Sequence, residues 1–116
     1  MEAIFNRNGI VVAWLQNGEI FNLHGNNIGF INFDSVRNLN SEYKGNFTNG
    51  FFRDRNGNAV AFINGANNGP LPPIPQIPPV PPIPNIPNIH PIPSIPPIPP
   101  LPSWNWSHLS WNEFII

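Results

Sequence analysis

The sequence predicts an all-β domain that is followed by a polyproline segment and a short aromatic turn or helix. Three observations predict it: a sixteen-residue repeat over residues 4–67, two turn signals in each repeat, and a period of three over residues 71–101. We therefore expect an eight-strand meander of four β-hairpin repeats with pseudo-fourfold symmetry in residues 1–68. Residues 69–103 are predicted as a polyproline II stem, and residues 104–116 as a Trp-rich docking tail.

The four blocks of the repeat follow one another without insertion, at residues 4–19, 20–35, 36–51 and 52–67. Their first residue is apolar, their third is Asn or Asp, and their tenth is small. The tenth residues are Ala13, Gly29, Gly45 and Ala61. A conserved size at one position indicates backbones that crowd around the pseudo-axis, or equally a β-bulge or tight bend in the sheet.

Each block carries two turn signals. The first are Asn8-Gly9, His24-Gly25, Asn40-Ser41 and Asn56-Gly57, and the second are Asn17-Gly18, Phe33-Asp34, Asn49-Gly50 and Gly65-Ala66. Asn-Gly favours type I′ hairpins because both residues tolerate positive φ. The stretches between the turns are rich in Ile, Val and Phe and are too short for helices, so they predict strands of about five residues.

This pattern resembles the four-fold beta-flower domain proteins. The resemblance covers residues 1–67, through the apolar starts, the Asp/Asn-x-x-Gly turns and phrases such as Val60-Ala61-Phe62-Ile63. It implies a fold, an Ile-Pro-rich extension and a tryptophan-containing end, but no activity. The third block departs from the pattern, since Lys44 and Asn46 stand at positions that are apolar or aromatic elsewhere. That departure predicts a weaker petal, or a face that meets solvent or a partner.

In the proline segment, every third residue is aliphatic. These residues are Leu71, Ile74, Ile77, Val80, Ile83, Ile86, Ile89, Ile92, Ile95, Ile98 and Leu101. Proline follows each of them except Ile89, which His90 follows, and the third position is mostly proline, otherwise Gln76, Asn85, Asn88 or Ser94. Because polyproline II turns once in three residues, the aliphatic side chains form one stripe.

The length of the segment suggests what buries this stripe. Thirty-one residues in polyproline II would reach roughly 96 Å, whereas a domain of about 66 residues has a diameter of roughly 30 Å. The stripe could be buried within the chain, if residues 85–90 reverse it into two antiparallel rods, or between chains that pack stripe to stripe. We favour packing between chains, since so small a domain gains stability from assembly. A collagen-like triple helix is excluded because residues 70–102 contain no glycine.

The C-terminal tail carries three tryptophans and a phenylalanine within eleven residues, at Trp104, Trp106, Trp111 and Phe114. Ser110 and Glu113 fit a capping box, with Ser107 as a rival N-cap, which predicts one or two helical turns that need docking. The aromatic side chains complete the core of the same chain, dock onto another subunit, or bind an unrelated partner.

Composition excludes several functions. The chain has five Lys+Arg against six Asp+Glu, too few clustered basic residues for a nucleic-acid surface. No apolar run is long enough to span a bilayer, and no Cys is present. The N-terminal residues lack a signal-peptide pattern, so we expect a cytoplasmic protein or one exported by another route. The three His and the carboxylates show no spacing typical of a metal or catalytic site, and we expect neither an enzyme nor a cofactor.

The leading hypothesis is a structural self-assembly protein that forms a large homo-oligomer or filament through its stem and tail. Its partner-binding residues would be Ile74, Ile77, Val80, Ile83, Ile86, Ile89, Ile92, Ile95, Ile98, Trp104, Trp106, Trp111 and Phe114. The alternatives are an interaction module that presents a proline-rich peptide to a partner protein, or a small secreted effector. A further protein partner could bind the tail.

Overall fold

The computed structural model describes residues 1–116, and its residues 2–62 form a closed barrel of eight antiparallel strands. Each strand pairs with its neighbours in chain order, and β1 closes onto β8. The strands are β1 (Glu2–Asn6), β2 (Val11–Gln16), β3 (Glu19–Phe21), β4 (Asn27–Asn32), β5 (Ser35–Asn38), β6 (Tyr43–Thr48), β7 (Phe51–Arg53) and β8 (Ala59–Phe62). The prediction of an all-β, eight-strand meander is confirmed. A single short helix, α1 (Trp111–Ile115), follows near the C-terminus.

Each sixteen-residue block contributes two paired strands, with a β-bulge at the same place. The apolar first residue pairs with the small tenth residue, and the register shifts by one immediately afterwards. The four pairs are Ile4 with Ala13, Ile20 with Gly29, Val36 with Gly45, and Phe52 with Ala61. A bulge bends its strand and increases the local twist, which a small barrel needs in order to close. The expectation that the small position marks a bulge is therefore correct.

The small tenth residues also make room for helix α1, which packs into the barrel core. Trp111, Phe114 and Ile115 belong to the same buried cluster as the apolar first residues of all four blocks. A Cβ atom added at Gly29 would lie 3.1 Å from Ile115 Cδ1, and one added at Gly45 would lie 3.0 Å from Phe114 Cε1. The barrel core is thus completed by the tail of the same chain.

The two kinds of turn differ. At three of the second turns both central residues have positive φ, as type I′ requires: Asn17-Gly18 (52° and 77°), Phe33-Asp34 (47° and 68°) and Asn49-Gly50 (52° and 84°). Type I′ is wrong for the first turns, where only the sixth residue of the block has positive φ.

The first turns are instead held by the Asn or Asp at the third position of the block. In the first block the Asn6 side chain accepts hydrogen bonds from the backbone N–H groups of Asn8 (2.9 Å) and Ile10 (3.1 Å). The side chains of Asn22, Asn38 and Asp54 repeat this arrangement in the other blocks. A side-chain acceptor of this kind stabilises a turn without a second residue of positive φ.

Candidate assembly surface

The proline segment lies around the outside of the barrel and does not project from it as a stem. We call residues 70–103 the belt. Backbone N–H groups of the belt donate to carbonyls in three of the first turns. These bonds join Gln76 to Gly9 (2.8 Å), Asn85 to Gly25 (2.8 Å), and Ser103 to Gly57 (3.1 Å). In the third block, the hydroxyl of Ser41 bonds to the carbonyl of Pro91.

The belt advances nine residues for each sixteen-residue block. Its contacts at successive first turns involve Gln76, Asn85, Ser94 and Ser103, which are spaced nine residues apart. At the rise of about 3.1 Å per residue expected for polyproline II, the 34 residues of the belt cover roughly 105 Å. The molecule measures 36 × 35 × 21 Å, so a circle of 35 Å diameter has a circumference of about 110 Å. A segment too long for the diameter of the domain therefore fits its circumference, which is why the chain neither extends as a rod nor folds back at residues 85–90.

Most hydrogen bonds between the belt and the barrel involve the residues that interrupt the prolines. Proline has no backbone N–H, so hydrogen bonds from the belt backbone must come from other residues. Besides the contacts above, the N–H of Asn88 donates to the side chain of Asn27 (3.1 Å). The His90 ring stacks on Phe30 with centroids 4.0 Å apart, and its Nε2 lies 2.7 Å from Oε1 of Glu19.

Two buried arginines of the barrel bind the side of the belt that faces the barrel. Arg37 donates to the carbonyls of Ser41 (2.8 Å) and Ser94 (2.7 Å), and Arg53 donates to the carbonyls of Gly57 (2.7 Å) and Ser103 (2.8 Å). Each guanidinium thus joins a first turn to the belt segment that crosses it. The pKa of Arg53 is lowered because the side chain is buried, and the neighbouring Asp54 carboxylate offsets part of that effect.

Equivalent positions in the first two blocks carry Phe5 and Phe21, which are also buried. The arginines therefore add buried side-chain hydrogen bonds to the belt over the last two blocks, whereas over the first two blocks the belt is held by the bonds at Gly9, Gly25 and Asn27.

The aliphatic stripe predicted from the period of three lies on the solvent side of the belt. Its eleven side chains are 89–100% exposed, and we call them the ridge: Leu71, Ile74, Ile77, Val80, Ile83, Ile86, Ile89, Ile92, Ile95, Ile98 and Leu101. No Asp, Glu, Lys or Arg occurs between Arg55 and Glu113, so the belt has no formal charge apart from any on His90. A continuous apolar surface of this extent is typical of a contact surface.

The tail residues require a correction. Trp111 and Phe114 are only 5% and 2% exposed because they lie in the barrel core, with Trp111 packing edge-on against Phe52. Trp106 packs against Phe51 and Phe62 beside strand β8. These three side chains are used within their own chain and are not surface anchors. Trp104, at 69% exposed, is the one predicted aromatic contact that remains accessible.

The tail follows its predicted local structure. Ser110 caps α1, and the reciprocal bonds of a capping box join it to Glu113. Ser107 has a different role, since its hydroxyl donates to Asp54 Oδ2 at 2.6 Å and its backbone N–H to the carbonyl of Ala59 at 2.7 Å. These contacts fix the tail to the fourth block before it enters the barrel.

The comparisons with known proteins identify the family. The sequence matches the family described as 4-fold beta flower protein over residues 2–115. The chain belongs to this family. The match extends over the belt and the tail as well as the barrel. No curated protein and no solved structure matches the chain.

No group of three or more His, Cys, Asp or Glu side chains is placed to hold a metal ion together. Among the helical elements, none has the length and hydropathy that crossing a bilayer requires.

Sequence reasoning missed the residues that position the ridge. Arg37 and Arg53 stand at the second position of their blocks, where the other blocks have phenylalanine, so no shared residue type marked the position. One signal was present: Gln76, Asn85, Ser94 and Ser103 are non-proline residues spaced nine apart. Nine residues make three turns of polyproline II. This spacing would have indicated that the segment contacts the barrel once for each sixteen-residue block.

Proposed function

We propose that this protein is a structural self-assembly protein whose ridge packs against the ridges of other copies to build a large homo-oligomer or filament. The observation that supports the proposal most strongly is the near-complete exposure of the ridge, at 89–100% for every member. The barrel holds this apolar surface outward through polar contacts on the opposite side of the belt. An aliphatic surface that a fold presents in this way gains free energy when another surface covers it.

The energetics favour contacts with several neighbours. Burying an aliphatic side chain completely contributes about 1.5–3 kcal/mol. Nine belt residues, one quarter of the circle, carry three ridge side chains, so two copies meeting over one quarter would bury six and gain roughly 9–18 kcal/mol. Association costs an estimated 4–15 kcal/mol. One quarter is thus barely sufficient for a stable contact. Because the ridge continues over the other quarters, further copies can bind in the same way, which favours an extended assembly over a closed dimer.

A second copy of the chain is the partner that best fits the ridge. Side chains that recur every three residues leave gaps about 9 Å apart along the belt. A surface that fills these gaps repeatedly must have the same period, and another belt has it. The absence of Asp, Glu, Lys and Arg from the belt also means that two belts meet without repulsion between fixed charges.

The proposal is tested with a ridge variant in which Ile77, Ile86 and Ile95 are each replaced by Gln. These residues are 92%, 90% and 93% exposed and lie nine residues apart, so one substitution falls in each of three quarters. Substitutions at such exposed positions change stability little. Sedimentation velocity and negative-stain microscopy at tens of micromolar should show a large assembly for the parent chain and, for the ridge variant, no species larger than a dimer of 13.0 kDa chains.

A matched control replaces Ile10 and Leu23, which are 51% and 49% exposed and lie outside the belt, by Gln. The control should assemble like the parent, and all three proteins should unfold at similar temperatures. A parent chain that sediments as a 13.0 kDa monomer at tens of micromolar would contradict the proposal. A ridge variant that assembles as fully as the parent would contradict it equally.

A further inference from the structure

The turn between β4 and β5 exposes an aromatic ring at a strained position. Phe33 has φ 47° and is 93% exposed. Asn17 and Asn49 occupy the equivalent position in the first and third blocks, each at φ 52°. Asn tolerates the left-handed region, whereas for other residues it costs about 1–2 kcal/mol. Phe33 therefore strains its turn and gains no burial within the chain, and strain of this kind is typical of residues that make a functional contact.

A cavity lies under the belt in the third block, where an aromatic residue is missing. At the eleventh position of the other blocks, Trp14, Phe30 and Phe62 are buried and face the segment that passes over them. The third block has Asn46 there, and a cavity of about 170 Å³ lies beside it. Its walls include Pro99, Pro100, Pro102 and Arg53.

We propose that the Phe33 ring of one copy inserts into this cavity of a second copy, and that the contact is reciprocal. A cavity of about 150 Å³ is known to hold benzene, so the volume suits a phenyl ring. The rings of Pro99, Pro100 and Pro102 offer apolar walls to an incoming phenyl ring. The Nε of Arg53 is buried without a hydrogen-bond partner.

Two polar side chains of the cavity wall, Asp54 and Asn46, already have their oxygens bonded within the chain, which limits the cost of covering them. Asp54 accepts from the N–H groups of Asn56 (2.8 Å) and Asn58 (3.0 Å) through Oδ1, and from the hydroxyl of Ser107 (2.6 Å) through Oδ2. The side-chain oxygen of Asn46 accepts from the hydroxyl of Tyr43. A ring that displaces water from the cavity therefore leaves these oxygens paired.

The ring and the cavity are neighbours on one surface. Asp34, the residue after Phe33, is part of the cavity wall. In an interface with twofold symmetry each copy presents the same patch, so a donor group and its acceptor must both lie near the axis. The inference rests on the proposed self-assembly. It adds a second contact between copies, besides the ridge, and assigns twofold symmetry to that contact.

Two substitutions remove the ring and the cavity one at a time, and each introduces a residue type that other blocks have at the same position. Phe33→Asn introduces the residue of the unstrained turns, and Asn46→Phe fills the cavity with the aromatic residue of the other blocks. Phe33→Asn should not lower the unfolding temperature, and Asn46→Phe, which loses the bond from the half-buried Tyr43 hydroxyl, should lower it by no more than about 4 °C, so a loss of association cannot be attributed to misfolding. Leu23→Asn, at a half-exposed turn residue, serves as the control.

The experiment uses the ridge variant as background, so that ridge contacts do not mask the result. Sedimentation equilibrium should show a dimer for the background and for Leu23→Asn, and a monomer of about 13.0 kDa for Phe33→Asn and for Asn46→Phe. A 1:1 mixture of the last two should form a heterodimer, since one copy supplies the ring and the other the cavity. With one contact of two, its affinity should fall on the order of 10- to 100-fold below that of the background dimer.

The outcomes distinguish this inference from the proposed function. A background that is monomeric, or a Phe33→Asn protein that still dimerises, overturns the inference while assembly through the ridge stands on its own test. A mixture that stays monomeric also overturns it, because an intact ring and an intact cavity are then present on different copies and do not associate. A parent chain that is monomeric fails both.

Discussion

Replacing Gly9 by Ala tests how the belt is held against the barrel. Gly9 has φ +79°, and a Cβ atom added there would lie 2.8 Å from the carbonyl oxygen of Ile74 and 3.3 Å from Cα of Pro75. Both neighbours are backbone atoms, so the belt must move. Gly65 offers a matched control, since it has φ +82° and no atom within 4 Å of an added Cβ. The two substitutions share the cost of a left-handed alanine, about 1–2 kcal/mol, and differ in the clash with the belt.

The size of the difference follows from the bonds at this contact. Moving the belt away from Gly9 weakens the bond from Gln76 N–H to the Gly9 carbonyl (2.8 Å) and the bond from Val11 N–H to Gln76 Oε1 (2.6 Å). At about 1 kcal/mol for each bond, Gly9→Ala should be roughly 2 kcal/mol less stable than Gly65→Ala. For a chain of this size that corresponds to an unfolding temperature lower by about 8 °C.

Calorimetry measures the difference in unfolding temperature, and amide hydrogen exchange locates its cause. In Gly9→Ala the amides of Gln76 and Val11 should exchange faster than in the parent, whereas the amide of Asn85, one contact further along, should change little. The reasoning is refuted if Gly9→Ala and Gly65→Ala unfold at the same temperature with unchanged protection of Gln76. That result would mean that the belt does not press on the first turn.

Three further predictions concern the register of the belt, the tail in the core and the cap of α1. Deleting residues 77–79 preserves the period of three but shortens one nine-residue step of the belt by about 9 Å. The deletion should therefore lower the unfolding temperature more than inserting an extra Ile-Pro-Pro after residue 79, which leaves the belt long enough. Equal effects would contradict a belt that contacts the barrel once in every nine residues. Trp111→Ala removes a core side chain that is 5% exposed and should cost about 3–5 kcal/mol in urea unfolding, whereas Trp104→Ala, at 69% exposed, should cost less than about 0.5 kcal/mol. The hydrogen bonds from the backbone and then the side chain of Ser110 lower the pKa of Glu113, so the stability they add is present above the usual carboxyl pKa and is lost as pH falls through the lowered value. Tryptophan fluorescence should report weaker tail docking in acid for the parent and a flatter pH profile for Glu113→Gln; identical profiles would refute a role for the cap.

The barrel could be predicted from the sequence because its determinants are local. Asn-Gly pairs at regular intervals set the hairpins, and short apolar stretches between them set the strands. The apolar first residue and the small tenth residue, such as Ile20 and Gly29, turned out to be paired partners at a bulge. A repeat makes such a position visible, although it does not distinguish a bulge from a crowded axis. The small residue adjoins a bulge and is also crowded, since a Cβ atom added at Gly29 would lie 2.6 Å from the backbone carbonyl oxygen of Arg37 and 3.1 Å from Cδ1 of Ile115 in the tail helix.

The belt and the tail could not be placed from the sequence because their contacts are distant in the chain and use groups common to many residues. The backbone carbonyl of Gly9 accepts a hydrogen bond from Gln76. Every residue has such a carbonyl, so the sequence does not indicate which one the belt contacts. The burial of Arg37, which would be expected at the surface, depends on carbonyls of Ser41 and Ser94. Aromatic enrichment near Trp111 indicated burial without showing in which molecule. The composition and period of the ridge could be read from the sequence, whereas its path around the barrel could not.

The distance between two ridge positions tests most directly whether the belt encircles the barrel. Cysteines introduced in place of Ile77 and Ile95 can carry spin labels specifically, since the chain has no Cys of its own and both positions are more than 90% exposed. Labelled chains diluted with unlabelled ones report distances within a single copy. Pulsed electron resonance should give one narrow distribution whose backbone separation does not exceed the 36 Å extent of the molecule. A separation near 56 Å, the length of eighteen residues in a straight polyproline rod, would contradict the belt.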